Sequence, residues 1–181
     1  MSVENKIIPV FMPIDSAPKG TSVFDTRQIS HAVGTLPDQH LQNLHKITVS
    51  PHANPNDAKW QSEYGDPDFY SAAVANIEVG VIAFPWKGWT DIPQGYVDST
   101  LTHETAHQVS QSLWRQLDSK AEWARAVASD ARAPSDYAKN NLSEDFAESA
   151  NMYRSSKGTP CEATGRNLYP ARYRYFDSIM K

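Results

Sequence analysis

Apolar and small residues recur at three- and four-residue steps through Leu101, Ala106, Val109, Leu113 and Leu117, the spacing of one helix face. The stretch Ser99-Thr100-Leu101-Thr102 supplies candidate caps, so the spacing predicts a helix of about 18 residues from near Ser99 to Gln116. A two-residue period marks Ile77 to Phe84, where Ile77, Val79, Val81 and Ala83 alternate with Glu78, Gly80, Ile82 and Phe84. That pattern predicts a strand, one-sided in its first half and buried on both faces in its second. Ile29 to Leu44 reads as helix interrupted near Gly34 and Pro37, with Leu36, Leu41 and Leu44 inward, and Lys46 to Ser50 reads as a short strand.

Between these elements the pattern breaks down. Residues 1–28 read as an irregular lead-in with Pro9, Pro13, Pro18 and Gly20, and residues 51–68, rich in Pro, Asn and Asp, as a surface loop. A loop with Trp86, Trp89 and Tyr96 follows the strand. Helical periodicity returns over Ala121 to Ala131, is broken at Ala133-Pro134-Ser135-Asp136, and resumes over Leu142 to Tyr153 and Pro170 to Met180. A small sheet in the first half and mostly helices in the second predict one α+β domain over 1–181.

Composition narrows the function. With 181 residues and 40% hydrophobic content, the chain can bury a core without disulfides. A net charge of −4 argues against a nucleic-acid or membrane-surface partner. Cys161 is the single cysteine, which excludes an intrachain disulfide and a Cys-rich zinc module. The apolar run Ile7 to Ile14 is broken by Pro9 and Pro13 and lacks a cleavage pattern. No transmembrane segment or export signal is read, so the expected location is the cytosol or outside the cell by a signal-independent route.

The chemistry is carried by His103-Glu104-Thr105-Ala106-His107. On a helix, histidines four apart share a face one turn above the other and can hold one metal from the same side. Glu104 follows the first ligand, where a carboxylate can act on a metal-bound water; this is the HExxH pattern of zinc peptidases. Catalytic zinc takes three protein ligands. The extended HExxHxxGxxH form is excluded, because Ser110 and Leu113 stand at its Gly and His positions. A deformylase-type ligand would be an upstream cysteine, whereas Cys161 lies downstream and is read as a structural thiol. Asp118 would lie about 16 Å from His107 on a continuous helix, and Glu122 and Asp130 have no accompanying pattern. Glu144 and Glu148, four apart, share a face beside an apolar stripe of Leu142, Phe146, Ala150 and Tyr153. Two readings of Glu144 compete: a zinc ligand, or part of a capping box with Asn141 that also suits the helix dipole. An HExxH helix without a third histidine favours the ligand. Glu148 is then either a group orienting a ligating histidine or a solvated side chain.

The segment from Tyr137 through Asn141-Leu142-Ser143-Glu144-Asp145-Phe146-Ala147-Glu148, downstream of HETAH, resembles the catalytic domain of anthrax lethal factor and the clostridial Pro-Pro endopeptidases. The resemblance spans roughly residues 29–180, but only these two segments are specific. It implies a zincin-like metallopeptidase fold with one zinc on His103, His107 and Glu144. It also implies that Tyr137, seven residues before Glu144, faces the active site and hydrogen-bonds the developing oxyanion. No match to those relatives' substrate-selecting loops is found, so their specificity does not carry over. The expected function is a zinc endopeptidase with Glu104 as general base, compatible with a secreted effector or toxin or an excised catalytic domain. Its partner would be an extended peptide paired with the Ile77 to Phe84 strand, with Trp86, Trp89 and Tyr96 either lining the cleft or packing over the sheet; a monomer is expected. The alternatives are a zinc-binding interaction or toxin module without peptidase activity, and a zinc hydrolase of a non-peptide bond. An intact Glu104 argues against the first.

Overall fold

Four short strands form the main sheet. The computed structural model describes residues 6–87 and 91–180. Strands β1 (Val10–Phe11), β3 (Ile47–Val49) and β5 (Gly80–Ala83) run parallel, and β4 (Ala73–Asn76) pairs antiparallel with β5, in the order β1-β3-β5-β4. A separate antiparallel pair joins β2 (Thr21–Ser22) to β6 (Trp86–Lys87). The lead-in is thus less irregular than its prolines predict.

The predicted strand Ile77 to Phe84 is corrected to Gly80–Ala83. Asn76 folds residues 77–79 into a turn: its Oδ1 accepts from the backbone N–H groups of Glu78 at 2.9 Å and Val79 at 2.7 Å. Gly80 then sits at φ 81° against the backbone of Lys46, where a side chain would collide. Because β5 lies between β3 and β4, both its edges are occupied, and the free edge on that side belongs to β4.

Helices α1 (Thr26–Gly34) and α2 (Asp38–Asn43) realise the predicted interrupted helix. A reciprocal box between Asp25 and Gln28 caps α1. Within the predicted loop 51–68 stands α3 (Asp57–Tyr64), closed by Gly65 at φ 65°. The long α4 (Gln94–Leu113) begins after Pro93, five residues before the predicted start. The supposed cap residues are interior: Thr102 Oγ1 bonds back to the Asp98 carbonyl at 2.7 Å, and Thr105 Oγ1 to that of Leu101 at 2.6 Å. Leu117 lies beyond the helix and is exposed.

In the second half come α5 (Ser119–Ser129), a 3-10 turn over Tyr137–Lys139, α6 (Leu142–Ser156), α7 (Cys161–Leu168) and α8 (Pro170–Ile179). Cys161 is exposed at the start of α7, so it is neither in a loop nor a buried structural thiol. Two apolar clusters hold the chain. One joins the sheet, α1 and Val97 and Leu101 of α4; the other joins Ala106 and Val109 of α4 to α5, α6 and α8. The HETAH turn falls where α4 passes from one cluster to the other. Opposite it, α6 is anchored by Arg172 of α8, whose guanidinium bonds Asp145 at 2.6 Å and Asp130 at 3.0 Å, all three buried.

Candidate metal centre and cleft

His103 and His107 stack one turn apart on α4, and Glu144 approaches from the first turn of α6. Their inward atoms form a nearly equilateral triangle. His103 Nε2 lies 3.1 Å from His107 Nε2, and Glu144 Oε2 lies 3.2 Å and 3.3 Å from the two nitrogens. Glu144 Oε2 is buried without an aligned hydrogen bond, although both imidazoles stand at ion-pair distance. Among the described residues this trio is a group of side chains able to hold a metal ion.

The outer nitrogens are also engaged. His103 Nδ1 meets Glu148 Oε1 at 2.9 Å, and His107 Nδ1 meets Ser143 Oγ at 2.9 Å. With each Nδ1–H donating outward, both Nε2 lone pairs face the triangle. Two lone pairs and a carboxylate repel unless a cation sits among them. A metal ion or a proton answers that need. Burial alone would lower His103, but the carboxylates of Glu144, Glu148 and Glu104 around it push it up to about 10. Burial alone would raise Glu144, but the two imidazoles hold it down to about 2.

Both sequence readings of Glu144 have a counterpart. Asn141 caps α6, its Oδ1 accepting from the N–H groups of Ser143 at 2.9 Å and Glu144 at 3.0 Å. The Glu144 carboxylate does not return to the cap; it turns to the histidines. Asp118 precedes α5 at φ 70° and takes no part. Ser143 escaped the sequence reading, because a serine beside a candidate ligand carries no spacing signal of its partner.

Glu104 is 7% exposed and lines the same cavity as the triangle. Burial raises its pKa, with the neighbouring imidazoles pulling the other way. Tyr137 stands with its ring centroid 5.9 Å from that of His103. Burial and the charge of Glu144 push its hydroxyl well above the usual range, so it stays protonated. The cavity, of about 640 Å³, runs along β4 and is walled by Trp60, Tyr64, Tyr70, Trp86 and Tyr96. Trp86 and Tyr96 serve both predicted roles, since they also pack on the first cluster. Trp89 lies outside the described residues.

No family profile matches the sequence, and no curated protein matches it. The fold is nevertheless similar to that of a solved structure, the Pro-Pro endopeptidase PPEP-2 from Paenibacillus alvei. The TM-score is 0.61 and the identity 17%, over 94% of this chain and 96% of that one. At that identity the likeness shows a shared α+β fold. No helix among the described residues is long and apolar enough to cross a membrane.

Proposed function

We propose that this chain is a zinc-dependent endopeptidase, with the metal held by His103, His107 and Glu144. The triangle carries the reading. Tetrahedral zinc holds N and O ligands at about 2.0–2.1 Å, which sets them about 3.3 Å from one another; the edges here measure 3.1, 3.2 and 3.3 Å. Three protein ligands leave one position open, as catalytic rather than structural zinc sites do. Two imidazoles and a carboxylate also suit zinc better than a hard cation such as calcium. The likeness to an endopeptidase fold supports the same class.

When bound, zinc supplies Lewis acidity that polarises a carbonyl and acidifies water. The chain's own groups do the rest. Glu104 takes the proton from the attacking water, whose oxygen bonds to the scissile carbonyl carbon, and delivers it to the amine as the C–N bond breaks. Tyr137 donates to the oxygen that gains negative charge, a contribution of roughly 3 kcal/mol for one such donor. Glu148 and Ser143 hold the imidazoles in orientation. An extended peptide pairs with the free edge of β4. The Ala72 carbonyl already accepts from Phe84 N–H at 2.9 Å, so the alternation of the ladder turns the backbone groups of Ala73 and Ala75 outward.

Glu104→Gln tests this directly. With a peptide library and added zinc, the wild type should cleave, a chelator should stop it, and the variant should lose several orders of magnitude in rate while binding zinc normally. Wild-type rates in Glu104→Gln would overturn the mechanism.

A further inference from the structure

Tyr64 and Tyr137 meet across the cleft from opposite walls. Tyr64 ends α3, which is fixed to the segment leading into β4. Asp57 Oδ1 accepts from the Ser71 N–H at 3.1 Å and the Ser71 hydroxyl at 2.5 Å, and Gln61 Nε2 donates to the Phe69 carbonyl at 3.0 Å. The Phe69 ring meets Trp60 and Tyr64 edge-on, at centroid distances of 6.0 and 5.0 Å. Tyr64 therefore stands on a braced element and not on a loose loop. On the other wall, Tyr137 opens the 3-10 turn, where Ala138 N–H donates to Ser135 Oγ at 3.0 Å. The two phenol rings lie 6.1 Å apart at 79°, and their hydroxyls act on one another, that of Tyr137 as the donor and that of Tyr64 as the acceptor while the cleft is empty.

We propose that Tyr64 is a positioning residue that aims the Tyr137 hydroxyl at the substrate, an inference that rests on the peptidase reading above. A phenol has one proton to give and lone pairs to receive. Substrate reverses the pair: Tyr137 turns its own proton to the carbonyl oxygen, and Tyr64 then donates to Tyr137 Oη. Two O–H groups aligned in this way polarise one another, which strengthens the terminal donor. No proton is transferred along the pair. Without Tyr64, ring packing would still hold Tyr137, but its hydroxyl would be free to turn.

Tyr64→Phe keeps the ring and removes only the hydroxyl. In zinc-loaded enzyme it should lower kcat about five- to tenfold, the scale of one hydrogen bond, and leave KM unchanged. In a Tyr137→Phe background the same change should cost nothing further, because Tyr64 acts only through Tyr137. A second readout needs no catalysis: in protein labelled with [13Cζ]tyrosine, without substrate, Tyr64→Phe should shift the Tyr137 Cζ resonance, identified by its loss in Tyr137→Phe. A cleaving wild type with an unaffected Tyr64→Phe variant overturns the proposal. So does a loss that persists in the Tyr137→Phe background, a change in KM alone, or an unshifted resonance. A wild type that cleaves no peptide with zinc present overturns the peptidase reading, and this role with it.

Discussion

Each corner of the candidate metal triangle is turned inward by a bond on its outer side. Glu148 holds His103, Ser143 holds His107, and the Asn141 cap fixes the backbone from which Glu144 projects. These supports differ in weight. A group that only orients a ligand changes metal affinity by about 10- to 100-fold, whereas a ligand's loss leaves two donors and an unfilled position. Zinc competition with a chromogenic chelator should therefore rank the variants: Ser143→Ala weakened by about tenfold, Glu144→Ala weakened far more. Equal affinity for the two would remove Glu144 from the ligand set. At this scale much of the candidate site was legible. Histidines four apart with Glu104 between them declare a shared face, and the absence of a third histidine directs attention to Glu144. Ser143 and Tyr64 were not legible, because a serine beside a ligand and a tyrosine in a proline-rich segment have no spacing rule that assigns them a partner.

At the level of elements, the interior of each periodic stretch was readable and its ends were not. The predicted start of α4 failed because Ser99, Thr100 and Thr102 resemble caps, yet Thr102 bonds back to Asp98 within the helix. α3 escaped notice because it is held through Asp57, Trp60 and Gln61 and not through a regular apolar stripe. Strand β5 was found but begun too early, since nothing in alternation reveals that Asn76 will fold the next residues into a turn. The two anchors of α6 can be ranked. Asn141→Ala removes a cap and should cost about 1 kcal/mol. Asp145→Ala strips Arg172 of one of its two buried carboxylates, leaving Asp130 to balance the charge, and should cost roughly 2–3 kcal/mol for the lost charged hydrogen bonds. Urea unfolding of both would check the order; a smaller loss for Asp145→Ala would mean that α6 is held chiefly at its N-terminus.

Across the whole molecule, α4 is the shared member of both apolar clusters, and its rear face rests on a buried histidine. His40 of α2 meets Thr105 Oγ1 through Nδ1 at 2.7 Å. Because the Thr105 hydroxyl gives its proton to Leu101, His40 Nδ1 is the donor, and its Nε2 has no partner. Burial, with the charge of Arg154 adding to it, lowers the His40 pKa to about 3. Between about pH 6.5 and 3 the unfolded chain binds a proton there that the folded chain refuses. The His40 contribution to stability should thus be flat above that window and fall within it, by at most about 1.4 kcal/mol per pH unit. Denaturation midpoints in excess chelator should fall more steeply with acid in the wild type than in His40→Gln; parallel slopes would show that His40 does not set the acid limit. The short edge of β4 sets a different kind of limit. Only Ala73 and Ala75 present outward backbone groups, so a paired peptide gains at most about four main-chain hydrogen bonds, each worth roughly 1 kcal/mol. So little main-chain grip cannot select a long consensus. On the peptidase reading, discrimination would come from the few side chains the aromatic walls can grasp around the scissile bond, which would make this a reader of short words.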